Sequence, residues 1–139
     1  MHVIAGFLLI AGLLASCAGA SGPGAGDRGP IPLQDVLEDP GSFDGQRITV
    51  AAGYFGAFEQ SVLTTGFAES YPPQPIEPLV WVGASPVGPC LQIADDDGHG
   101  ESWADRVVAT GTFGYEPGGG FGHLGDYDMQ MADARIRCA

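Results

Sequence analysis

The chain has 139 residues, enough for one domain and a modest core. Seventeen Asp and Glu against five Arg and no Lys give a formal net charge of −12. That balance opposes binding to nucleic-acid backbones, which depends on clustered cations, and disfavours lying flat on an anionic leaflet. No nucleic-acid partner is expected.

The N-terminus opens on a charge-free apolar run from Val3 to Leu14. It is too short to span a bilayer, which takes about 20 apolar residues, and it reads as the core of a secretory signal. Leu14-Ala15-Ser16-Cys17 follows, and it resembles the lipobox of bacterial lipoproteins. The resemblance implies cleavage before Cys17 and diacylglycerol on the Cys17 sulfur, usually with a further acyl chain. Each buried methylene adds roughly 0.8 kcal/mol, so two or more chains hold firmly where one holds marginally. Residues 1–16 are thus expected to be a lipoprotein signal peptide, although the usual Lys or Arg before the apolar run is missing. The location implied is the bacterial cell envelope, facing periplasm or exterior, with the membrane as a partner through the lipid.

"CAGASGPGAGDRGP", residues 17–30, is small and rich in Gly and Pro and reads as a flexible tether. Residues 31–139 are then the folded domain. With Cys17 assigned to lipid, Cys90 and Cys138 form an even pair in an exported protein, which favours a disulfide; two free thiols are the alternative.

Within the domain, Leu33, Val36 and Leu37 in "IPLQDVLEDP" make one apolar stripe at helical spacing. A short helix is expected, with Pro32 at its first position and Pro40 beyond its end. Asp44-Gly45 marks a turn. Four β segments follow: "RITVAAGYFG" with Ile48, Val50, Ala52 and Tyr54 on one face, "SVLTTG", "PLVWVG" and "RVVATGTFGY". In a fifth, "YDMQMADARIRC", Met129 and Met131 share one face while Ala134, Ile136 and Cys138 share the other. That change of phase predicts a bulge or a strand leaving the sheet.

"VAAGYFG" (50–56) and "VATGTFG" (108–114) echo each other, each placing Gly inside a β-rich run. Such glycines cost stability unless the chain must bend or approach another backbone there, as in a small barrel. One short helix and five strands make an all-β domain with minor α content, compatible with a five-stranded barrel. "LEDPGSFDGQRITVAAGYFGAFEQSVL", "WVG", "RVVATGTF" and "GGGFGHLGDYDMQMADARI" together resemble small bacterial lipoproteins with an OB-like barrel, over residues 33 to 137. The resemblance implies an architecture and brings no catalytic residues.

Chemistry is sparse. "DDDGHGE" (95–101) is the most site-like run, and Asp95, Asp97, His99 and Glu101 with His123 form the candidate metal set. As a calcium loop it fails, because His99 stands where Asp or Asn is needed and Arg106 where Glu is needed. An acidic, solvated loop is the plainer account. His123, in "GGGFGHLGDYD", can hold a turn or join Asp126, Asp128 or His99 around a metal. No G-x-S-x-G, Walker or dinucleotide loop occurs, so neither catalysis nor a cofactor is expected. The aromatics Tyr54, Phe55, Phe58, Trp81, Trp103, Phe113, Tyr115, Phe121 and Tyr127 are the best clue to binding, although a small barrel needs most of them as core. The expected role is non-enzymatic binding or scaffolding through an envelope protein or glycan. The alternative is a metal- or small-ligand-binding lipoprotein.

Overall fold

The computed structural model describes residues 29–94 and 100–139. Cys17, the signal and tether up to residue 28, and Asp95, Asp97 and His99 lie outside them. Among the described residues no helix is long and apolar enough to cross a membrane.

The expected helix is present as α1, Leu33–Glu38, which turns Leu33 and Val36 into the core. Pro32 is not its first residue but stands one position earlier, at the N-cap. It belongs to β1, Ile31–Pro32, a two-residue piece parallel to Val50–Ala51. A Pro is tolerated there because β1 lies at the end of the strand order, where a missing N–H breaks no ladder. A 3-10 turn over Pro40–Phe43 and Gly45 (φ 73°) then lead into the sheet.

The rest is β: β2 Arg47–Ala57, β3 Gln60–Thr64, β4 Val80–Trp81, β5 Gln92–Ile93, β6 Ser102–Tyr115 and β7 Met129–Cys138. The domain is thus mostly β with one short helix, as the apolar patterns imply. The strand number differs from expectation. One sheet of seven strands in the order β1-β2-β3-β4-β7-β6-β5 replaces the five anticipated. The two extra members, β1 and β5, are two residues each and carry no long apolar pattern to read. "PLVWVG" also contributes less than its length suggested, because only Val80 and Trp81 pair with β3. β2 pairs with β6 as well as with β3, and β4 pairs in parallel with β7, so the pairings run from β2 through β3, β4, β7 and β6 back to β2.

Two register shifts shape this sheet. Ala52 pairs with Val107 but Tyr54 with Ala104, so Gly53 faces both Asp105 and Arg106. Thr110 pairs with Arg135 but Thr112 with Ala132, so Gly111 faces both Asp133 and Ala134. Asp133 takes φ 51°, a left-handed conformation that Asp tolerates better than most residues. Each extra residue flips the strand's alternation. This is why Met129 and Met131 face the core together with Ile136, five residues after Met131. The phase change in "YDMQMADARIRC" is therefore a bulge, and the two echoed glycines, 58 positions apart, face the two bulges.

The main core collects Leu33, Val36, Ile48, Val50, Tyr54, Leu63, Val80, Val107, Phe113, Met131 and Ile136. Phe55, Val62 and Trp103 form a second, smaller cluster on the other face of β2 and β6. Cys90 and Cys138 are joined as a disulfide, with Cα atoms 5.6 Å apart. It locks the segment after β4 onto the end of β7, where Val87 already exchanges backbone hydrogen bonds with Ile136 and Cys138.

Candidate functional site

Among the described residues, a cleft of about 400 Å³ opens at one end of the sheet. The turn from β2 into β3 supplies Ala57, Glu59, Gln60 and Ser61 to it. Trp81 comes from β4, Gly83 to Ser85 from the segment that follows, Gly100 and Ser102 from the start of β6, and His123 from the loop before β7. Local sequence explains this convergence. Gly83, at φ 57°, turns the chain away just after Trp81, and Gly122, at φ 81°, precedes His123.

One wall is aromatic, built by Trp81 and His123, with Tyr127 packed on Trp81 outside the lining. The Trp81 ring meets His123 edge-on, with centroids 5.2 Å apart and planes at 73°, and meets Tyr127 at 5.5 Å and 36°. Both separations lie in the range where aromatic pairs attract. Gln60 Nε2 donates to the Tyr127 hydroxyl at 3.1 Å, which helps fix that ring. His123 is exposed, whereas Trp81 and Tyr127 are half-buried, so the ring faces remain partly open.

The other wall is hydroxylic. The Tyr54 ring is buried, 1% exposed, and its hydroxyl reaches Ser61 Oγ at 3.3 Å and Ser85 Oγ at 3.2 Å. Ser61 Oγ donates to the Ala84 carbonyl at 2.6 Å. These bonds tie the first β hairpin to the segment after β4, and Tyr54, Ser61 and Ser85 all line the cleft. Ser102 adds a fourth hydroxyl. Among the described residues, the partners of the Ser61 and Ser85 hydroxyls are Tyr54 and the Ala84 carbonyl.

The sequence-derived candidates fare unevenly. Glu101 is half-buried beside the cleft, between Gly100 and Ser102, but is not in its lining. Asp126 and Asp128 line a different hollow, with Glu77 and Tyr127. No group of three or more metal-ligating side chains occurs among the described residues. Of the nine aromatics, Tyr54, Phe55, Trp103 and Phe113 are core, as a small domain requires. Phe58, 82% exposed, lies in the turn that supplies Ala57 and Glu59, and Leu124, 80% exposed, follows His123. The meeting of Trp81, His123 and Tyr127, and the roles of Gln60, Ser61 and Ser85, carry no local sequence signal. They depend on segments brought together across up to 67 positions of chain. No known protein family, curated protein or solved structure matches this chain.

Proposed function

We propose that this chain is a lipid-anchored protein of the bacterial cell envelope, moored through Cys17. Its β domain acts as an OB-like binding module and not as a catalyst. The barrel reading draws on the ring of pairings through β2, β3, β4, β7 and β6, with β1 and β5 as short additions to it. On barrels of that class, ligands lie near the loops that join the first two and the last two strands. The corresponding segments here carry Glu59–Gln60 and His123.

The observation that carries the reading is the pairing of an aromatic wall, Trp81 with His123, with a wall of hydroxyls from Tyr54, Ser61, Ser85 and Ser102; Tyr127 packs on Trp81 from outside the lining. Sugar rings present apolar C–H faces to aromatic rings and hydroxyls to polar groups, so an envelope glycan is the ligand class that suits both walls. Glu59 in the lining favours a neutral or cationic glycan over an anionic one. Titration of the full chain with a neutral N-acetylglucosamine oligomer tests this by tryptophan fluorescence. A saturable change that disappears in Trp81→Phe and persists in Trp103→Phe supports the glycan reading. No change in either variant or the parent chain directs the cleft to a protein partner instead.

A further inference from the structure

The chain carries five arginines against seventeen acids, yet the fold gathers three of them on one sheet face. Arg47 stands at the start of β2, and Arg135 and Arg137 lie near the end of β7, with β6 between the two strands. Register places them together. Arg47 pairs with Thr112, Thr49 with Thr110, Thr110 with Arg135 and Val108 with Arg137. The alternate residues Ile48, Val50, Ala109, Phe113 and Ile136 point into the core, so the arginines and threonines share the outer face. There Arg47, Val108, Thr110, Arg135, Ile136 and Arg137 line a cleft of about 320 Å³ whose lining, among the described residues, includes no acidic side chain.

We propose that this arginine cleft is a binding site for a phosphate group, separate from the Trp81 cleft and independent of the glycan reading. Like charges set side by side on a sheet repel, so the arrangement costs the fold stability until an anion occupies it. Guanidinium forks match the oxygens of a tetrahedral oxyanion, and three of them exceed what a single carboxylate engages. Thr49 and Thr110 share one hydroxyl–hydroxyl bond of 2.9 Å, which leaves one of their two hydroxyl hydrogens for a ligand oxygen. The protein's net negative charge does not defeat the site. Charges more than about 8 Å away are largely screened at physiological ionic strength; Asp133, two residues from Arg135 on β7, is closer but outside the cleft lining, and three guanidinium groups outnumber it.

The test is a titration of the full, disulfide-bonded chain with inorganic phosphate, against chloride at matched ionic strength, following the arginine Nε–Hε resonances by NMR. Saturable shifts at Arg47, Arg135 and Arg137 are expected, with Arg106, on β6 outside the cleft, unmoved. Each single Arg→Gln variant should bind about tenfold more weakly, equivalent to about 1.4 kcal/mol, and Arg135→Lys, which keeps the charge and loses the fork, should also weaken binding. Partition onto phosphatidylglycerol against phosphatidylcholine vesicles identifies the source of the phosphate. A preference for the anionic vesicle that disappears in Arg135→Gln points to lipid headgroups. Saturable phosphate binding without that preference points to a soluble phosphate compound. Shifts equal in chloride, shared by Arg106, or unchanged in the arginine variants overturn the proposal.

Discussion

Gly111 lies directly against the backbone of Ala132. A Cβ at residue 111 would stand 2.7 Å from the Ala132 carbonyl oxygen and 2.5 Å from Met131 Cγ, both inside contact distance. The bulge at Asp133–Ala134 brings β7 this close, and Gly111 is the residue it faces. Gly111→Ala is therefore expected to destabilise the domain by about 1–3 kcal/mol, the usual cost of overpacking a closed site. Urea denaturation measures it. Gly41→Ala, with nothing within 4 Å of its added Cβ, is the matched control.

The Cys90–Cys138 bond closes a 48-residue separation. Loop entropy gives it a stabilisation of roughly 3–4 kcal/mol, arising in the unfolded chain. The double Cys→Ser variant should lose most of that in denaturant titrations. Because the bond anchors the segment that continues from Ser85, hydrogen exchange near residues 84–91 should rise more than exchange in β2. Equal exchange in the two regions would show that backbone pairing at Val87 suffices to hold the segment.

Thr64 is fully buried, and its hydroxyl lies within 2.7 Å and 2.8 Å of the Gly66 and Ile76 carbonyls and accepts from both backbone N–H groups. One side chain thus closes the loop between Thr65 and Pro75 onto the end of β3. Thr64→Val keeps the shape and removes the hydroxyl, leaving the part-buried Gly66 N–H and Ile76 carbonyl without that partner while the Ile76 N–H keeps its bond to the Gly66 carbonyl. A loss of about 1–3 kcal/mol is expected from chemical denaturation. Thr65→Val, on an exposed neighbour, should cost much less.

Lipid at Cys17 has a direct check in cells. Globomycin, which blocks lipoprotein signal cleavage, should cause a larger precursor to accumulate, and mass spectrometry of the mature product should find an acylated N-terminal cysteine. Normal processing in the presence of globomycin would remove the mooring from the proposed function and leave the cleft reading intact.

Much of the fold is written locally. The stripe Leu33, Val36, Leu37 specifies α1, because helical spacing alone decides which side is apolar. The alternation in "RITVAAGY" specifies β2, and the broken phase of "YDMQMADARIRC" announces a bulge, because a strand's period of two leaves no other way to turn both Met131 and Ile136 inward. The pairing of Cys90 with Cys138 followed from counting thiols in a chain read as exported. The two-residue strands β1 and β5 were not legible, because pairing that short leaves no pattern in composition. The cleft was not legible either. Trp81 sits in a run indistinguishable from buried strand, and only the crossing of β4 beside β7 sets it between His123 and Tyr127. Arg47 shows the same division. Its charge was always countable, but its neighbours Arg135 and Arg137 lie some 90 residues away and meet it only through the register of β6 with the two strands beside it. Period and chemistry act over a few residues and can be read from the chain; adjacency across strands is set by the packing of the whole core.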